Sequence, residues 1–318
     1  MASEPNTLTA PSTHVWDWCG QRIGWLHAGS ASAARAVVLI HGFGANSRHW
    51  RHNIPVLAGA AEVFAIDLLG FGSSAKPPST LPGEVPSNGA VFYGFDLWSE
   101  LVADFIVAQV SGHQPDRPVI LVGNSIGGVV ALATARRLSR AGAPSKLQQV
   151  ILIDCAQRAL DEKRVQDLPL LQRLNRPLLK RLVRQRWLTQ SLFRVLARPG
   201  FIRRVLNVAY PTGANVDDEL VALLYGPTTD PGAPESFRGF VNLFSDWLAP
   251  DLLAELNLPV RMIWGGRDPW ESPQEAERWV QRFAIIQELK VLDGLGHCPH
   301  DEAPERVNPI LVQWLQAG

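Results

Sequence analysis

With 318 residues, 46% of them hydrophobic and 19% charged, the chain can bury a large core, which excludes a disordered polypeptide. Thirty Lys and Arg balance thirty Asp and Glu, so the chain as a whole lacks the basic footprint of a nucleic-acid binder. Cys19, Cys155 and Cys298 are too widely spaced for a disulfide framework or a metal-ligand pattern, and fit a reducing compartment.

The opening MASEPNTLTAPSTHVW is polar and lacks the apolar core of a signal peptide, so a cytoplasmic or peripheral protein, not a secreted one, is expected. No apolar run approaches the roughly 18 residues needed to span a bilayer. The sequence holds no P-loop, no G-x-G-x-x-G and no internal repeat. HVWDWCG and QRIGWLHAG read as an opening hairpin. AVVLIHGF (from Ala36) and AEVFAIDLLG (from Ala61) read as buried strands on either side of an amphipathic stretch at 47–57. A second amphipathic stretch, 93–110, precedes the β-branched run 119–122, and an Ala-rich helix follows at 129–141. QQVILIDCA (from Gln148), PVRMIWGG (from Pro259) and QELKVLDGLG (from Gln287) read as further strands, with helices at 273–283 and 304–315. Strand alternating with helix predicts an α/β protein: a mostly parallel central sheet with helices on both faces. The alternation fails once. Residues 156–255 show no convincing strand, and a helical pattern interrupted by Pro177 and Pro199 reads as a cap inserted between two strands. The core domain would then comprise residues 1–155 and 256–318.

In such sheets, reactive residues sit in loops at the carboxyl ends of the strands. There the chain places Gly123-Asn124-Ser125-Ile126-Gly127, a G-x-S-x-G turn between strand and helix. Glycines two before and two after the serine let neighbouring backbone approach, and the hydroxyl stands at a helix N-terminus. A serine hydroxyl needs a base, and the base an orienting acid. His297, in LDGLGHCPHDEAPE, follows the last strand; His300 is its nearest competitor. The acid should lie between serine and histidine in chain order. Asp268, in IWGGRDPWE, meets that requirement, and Asp154, after the strand that precedes the insertion, is the alternative. The oxyanion needs backbone N–H donors, expected from Ile126 and from Phe43 in His41-Gly42-Phe43-Gly44. Cys298 reads as a small packing residue.

These residues resemble the α/β-hydrolase superfamily over nearly the whole chain from about His14 onward. HGFGANSRHWRHNIPVL, AIDLLGFGSSAKP, GNSIGG, GGRDPWE and GLGHCPHDEAPERVNP together look like the chlorophyll dephytylase and pheophytinase group of photosynthetic organisms. The resemblance implies Ser125, Asp268 and His297 as a triad. It also implies an amphiphilic substrate, a phytylated tetrapyrrole, with no metal or organic cofactor needed. Related dehalogenases and epoxide hydrolases carry an aspartate where Ser125 stands, and carbon–carbon bond hydrolases usually place a tryptophan where Cys298 follows His297. A general carboxylesterase or lipase, and a non-catalytic pigment-binding module, are the alternatives.

The insertion normally decides substrate, but it carries no motif that assigns its residues. From Arg158 to Arg204 it holds thirteen Lys or Arg against three acids, a net +10 on a neutral chain. Leu171, Leu174, Leu178 and Leu182 recur at helical spacing beside Lys180, Arg181 and Arg184. Two arrangements fit: leucines packed on the core with arginines in water, or a basic amphipathic helix on an anionic, photosynthetic membrane. Eleven tryptophans would suit a flat ring system, although most are expected in the core.

Overall fold

The predicted strands assemble into one sheet of eight, in the order β1-β2-β4-β3-β5-β6-β7-β8. A computed structural model describes residues 10–112, 114–142 and 146–317; the polar start at 1–9 lies outside the described residues. The strands are β1 Ser12–Trp18, β2 Gln21–Ala28, β3 Ala36–Ile40, β4 Glu62–Ile66, β5 Pro118–Asn124, β6 Lys146–Ile153, β7 Val260–Gly265 and β8 Ile286–Leu292. The β1–β2 hairpin joins the sheet antiparallel along β4, and every other pairing is parallel.

Successive side chains on a strand point to opposite faces, and both faces are covered here. Val38, Ile40, Ile66, Leu121 and Leu152 enter one apolar cluster; Val37, Leu39, Ala65, Ile120 and Val122 enter the other. That is why these strands read as continuous apolar runs rather than alternating ones. The helices in chain order are α1 Ile54–Leu57, α2 Phe95–Phe105, α3 Ile126–Ala141, α4 Leu170–Arg184, α5 Arg186–Leu196, α6 Pro199–Ala209, α7 Asp218–Tyr225, α8 Ala233–Val241, α9 Ala249–Leu253, α10 Pro273–Arg282, α11 Pro299–Glu302 and α12 Pro304–Gln316. No described residue between β6 and β7 is in a strand. Helix α9 buries Leu252 and Leu253 in the same cluster as Val129 and Leu132 of α3. Among the described residues, no helix is long and apolar enough to cross a membrane.

Three local expectations are corrected. The stretch 47–57 is not one helix: a 3₁₀ turn, Ser47–Trp50, is capped by Asn46 Oδ1 accepting from Arg48 N–H at 3.0 Å, and α1 follows separately. The stretch 93–110 closes as a π turn, Ile106–Val110, beyond α2. Pro177 does not interrupt the insertion. It lies inside α4, and only Pro199 marks a boundary, at the first turn of α6, where its missing N–H costs nothing.

Candidate active site

β5 ends at Asn124 and α3 begins at Ile126, so Ser125 alone makes the turn, at φ 57° and ψ −123°. A non-glycine residue at positive φ is strained. Three backbone hydrogen bonds hold it there: its N–H donates to Ile153 O, and its carbonyl accepts from Gly128 and Ala156, all at 3.0 Å. The flanking glycines are steric requirements. A Cβ on Gly123 would collide with the Gly127 carbonyl, and one on Gly127 with the carbonyls of Ile40 and His41.

The loop after β3 lies against this turn, close enough that a Cβ on Gly42 would be 3.1 Å from Ser125 Cβ. His41 fixes the loop. Its Nδ1 bonds Gly42 O at 2.7 Å, and its Nε2 accepts from Leu68 N–H at 3.0 Å. Burial holds the imidazole below its ordinary pKa, so it stays the neutral tautomer that this pattern requires. Among the described residues, neither the Phe43 nor the Ile126 N–H has a hydrogen-bond acceptor, and both residues line the same cavity as Ser125.

His297 follows β8 and lines that cavity too. Its N–H donates to Ala209 O at 2.9 Å, and its carbonyl accepts from Asn124 Nδ2 at 3.1 Å. Its Nδ1 bonds Asp268 Oδ2 at 2.8 Å. Asp268 Oδ1 accepts from the N–H groups of Trp270 at 2.8 Å and Glu271 at 3.1 Å. Burial pushes the Asp268 carboxyl up, but its bond to His297 and these amides hold it below the ordinary range. Asp154 sits beside the pair without contacting the imidazole. Ligating atoms of Asp154, Asp268 and His297 lie within 4.8 Å of one another. That donor set would also suit a cation, although the Nδ1–Oδ2 bond already occupies two of its atoms. Asp154 Oδ1 accepts from Gly265 N–H at 2.8 Å. Burial and the nearby Asp268 raise the Asp154 pKa well above its ordinary value. Its Oδ2 is buried without a hydrogen-bond partner, so a proton held there would be free to donate to Asp268.

His300 and Cys298 occupy different places. His300 is fully buried in α11, packed on the rings of Trp50 and His49 at 4.4 and 4.8 Å, and does not line the cavity. Cys298 lines the cavity, but burial raises its thiol pKa well above normal, which suits packing and not attack. Of the tryptophans, only Trp270 lines the cavity, its ring 4.8 Å from His297.

The cavity is about 530 Å³ and mostly apolar. Phe43, Ile126 and Trp270 line it beside the serine turn; Phe193, Phe201 and Phe237 line it from α5, α6 and α8. Phe43 stacks on Phe240 at 3.7 Å. Two supporting residues escaped sequence reasoning. Asn124 ties the serine turn to the histidine loop, and its signal was a polar residue closing an apolar strand. Buried Glu302 accepts from Gly296 N–H at 2.7 Å and from Thr212 Oγ1 at 2.6 Å, fastening the histidine loop to the insertion. Its signal was the acid in the run 296–302. Glu271, whose carboxyl burial lifts to about 7, also lines the cavity.

A parallel sheet whose strand ends gather a serine on a strained turn, a histidine and its carboxylate defines an α/β-hydrolase. The chain belongs to the alpha/beta hydrolase family, whose model matches residues 37–310. It is 28% identical over 317 residues to "Pheophytinase, chloroplastic" of Arabidopsis thaliana, covering 89% of this chain but only 61% of that protein. It is 26% identical over 278 residues to 2-hydroxy-6-oxo-2,4-heptadienoate hydrolase of Pseudomonas putida, covering 83% of each. Among solved structures, a serine hydrolase involved in carbazole degradation (CarC enzyme) superposes with a TM-score of 0.70 at 21% identity, covering 97% of this chain and 100% of that one.

Proposed function

We propose that this hydrolase is a serine ester hydrolase that removes the phytyl chain from a chlorophyll-type pigment, chlorophyll or pheophytin, and releases the phytol-free acid. The observation that carries this reading is the cavity: about 530 Å³, lined by aromatic and aliphatic side chains, and open to Ser125. A long hydrocarbon chain gains about 0.8 kcal/mol for each methylene withdrawn from water in such a space. The likeness to pheophytinase, together with the runs 268–270 and 296–302, points the same way. In this reading residues 156–255 act as the cap, and the protein works in the cytoplasm or at the surface of a photosynthetic membrane.

His297 takes the proton from Ser125 Oγ as the oxygen attacks the ester carbonyl. Asp268 holds the imidazole in the right tautomer and stabilises the imidazolium. The N–H groups of Phe43 and Ile126 hold the oxyanion, and losing one such donor costs about 3–4 kcal/mol. The imidazolium gives its proton to the departing phytol oxygen. Water, deprotonated by His297, then cleaves the acyl-serine and frees the acid. The test is incubation with chlorophyll a and with pheophytin a, followed by chromatography for the phytol-free acids. A short p-nitrophenyl ester run in parallel separates this reading from a general carboxylesterase or lipase. Brisk turnover of that ester with both pigments untouched overturns the pigment assignment and leaves the ester chemistry. Labelling of Ser125 by a phosphonate excludes a non-catalytic pigment-binding module.

A further inference from the structure

Helix α4 is amphipathic, and it is mounted with its apolar side outward. At 3.6 residues per turn, Leu171, Leu174, Leu178 and Leu182 share one side and Arg176 lies on the other. Arg176 is the one buried residue of the helix. Its guanidinium bonds the Leu160 carbonyl and lies 5.2 Å from the centre of the Phe244 ring. The leucines face water instead: Leu171 is 70% exposed, Leu174 69% and Leu178 60%. On the next helix, α5, Trp187 is 67% exposed as well. Phe201 and Val205 of α6 both line the cavity and remain exposed, so the cavity mouth is itself apolar.

The charge carried by these three helices is of one sign, although acids on neighbouring segments pair with some of it: Arg186 with Glu235 and Arg203 with Asp218. The forty residues 170–209 contain ten Lys or Arg and no acid. Lys180 is paired with Glu162, and Arg184 donates to Pro82 O at 2.8 Å, so neither is a free cation. Among the described residues, Arg173, Arg181, Arg194 and Arg204 are exposed and their side chains have no hydrogen-bond or acidic partner.

We infer that α4, α5 and α6 form a docking face for an anionic lipid surface, which the exposed leucines and Trp187 enter while the free arginines meet lipid headgroups. An apolar stripe beside cations is the chemistry of an interfacial helix. A neutral protein partner would leave the cations uncompensated, and a second copy of this face would bring like charges together. The docked orientation sets the apolar mouth at Phe201 and Val205 against the lipid, so a membrane-dissolved ester enters the cavity without crossing water. Docking does not depend on which ester is cleaved, so it stands or falls separately from the pigment assignment.

The experiment is co-sedimentation of the full chain with vesicles of phosphatidylcholine, with and without phosphatidylglycerol. Wild type should pellet with the anionic vesicles and be released as salt rises, because the Debye length shrinks to about 8 Å at physiological ionic strength. Replacing Arg173 and Arg181 by glutamine should weaken binding about 25-fold, at about fivefold per cation near an anionic surface. The double variant Leu174→Ser, Leu178→Ser should fail to pellet at any salt. Both variants should hydrolyse a short p-nitrophenyl ester at the wild-type rate, which shows that they are folded. The inference is overturned if wild type stays in solution at low salt, or if the leucine variant pellets like wild type. A wild-type dimer on size-exclusion chromatography that the leucine variant splits overturns it in favour of a second copy.

Discussion

Asp154 and Asp268 are two carboxylates whose environments push their proton affinities apart, which assigns them different roles. Despite burial, an imidazole and two amides draw the Asp268 carboxyl below its ordinary pKa; burial and that neighbouring charge push the Asp154 carboxyl above its own. Replacing Asp154 by Asn should therefore leave most activity, since the amide supplies an acceptor for Gly265 N–H and a donor toward Asp268. Asparagine also tolerates the positive φ of 44° at this position. Asp268→Asn should lose about 10⁴ in kcat, because the wrong tautomer faces Ser125. Steady-state rates of the two variants decide the matter: a crippled Asp154→Asn beside a healthy Asp268→Asn places the acid on β6. Glu271 gives a stability test. Burial, the first cause, lifts its carboxyl to about 7 from 4.5. The cost of ionising it in the folded state is absent below pH 4.5, grows up to about pH 7 and is constant above that. Glu271→Gln keeps an acceptor for Gln157 N–H, now held at 2.8 Å. It should raise unfolding free energy at pH 8 by up to about 3 kcal/mol and leave it unchanged at pH 4. Urea unfolding at the two pH values measures this, and an equal effect at both removes Glu271 as the titrating group.

The β5–α3 unit shows which features were legible in the sequence and which were not. The strand declared itself by a β-branched run and the turn by two glycines around a serine, because both are dictated by local sterics. What Gly123 avoids is local, the Gly127 carbonyl, but what Gly127 avoids is not. A Cβ on Gly127 would sit 2.6 Å from His41 O, on the neighbouring strand end. Gly127→Ala should therefore force α3 away from β3 and cost about 1–3 kcal/mol of stability, as overpacking does. It should also lower kcat, since Ile126 N–H moves with the helix. Thermal unfolding with turnover of a p-nitrophenyl ester checks both, and a variant with normal melting temperature and rate refutes the steric account. Helix α4 was legible only in part. Leucine spacing marks an amphipathic helix but not which way it faces. That direction is set by Arg176 meeting the Leu160 carbonyl and Phe244, partners 16 and 68 positions away along the chain. The histidine loop was found by its chain order, whereas its fastening through Glu302 required the fold.

On the scale of the whole molecule, the half-buried Arg51 links the segment after α6 to α11, and it tests how far that attachment supports the site. From the turn after β3 it donates Nε to Asp301 at 3.0 Å, Nη1 to Asp217 at 3.0 Å and Nη2 to Asn215 O at 2.9 Å. Asp217 in turn caps α7, accepting from Leu220 N–H at 2.7 Å. Asp301 is fully buried and also accepts from Tyr210 OH at 3.0 Å, at the end of α6. Arg51→Met would keep most of the volume and remove the charge. It would leave Asp301 buried without its strongest partner, and breaking a buried pair in this way costs about 3–5 kcal/mol. Lysine offers a point charge in place of the fork and should recover only part of the loss. Because Tyr210 and Ala209 position the His297 loop, activity should fall along with stability. The double variant Arg51→Met, Asp301→Asn removes the orphaned charge and should regain much of the stability, so the two changes are not additive. Chemical denaturation of the four proteins gives the coupling directly. Additive losses would mean that Arg51 and Asp301 act independently, and that the insertion is held by its apolar contacts instead.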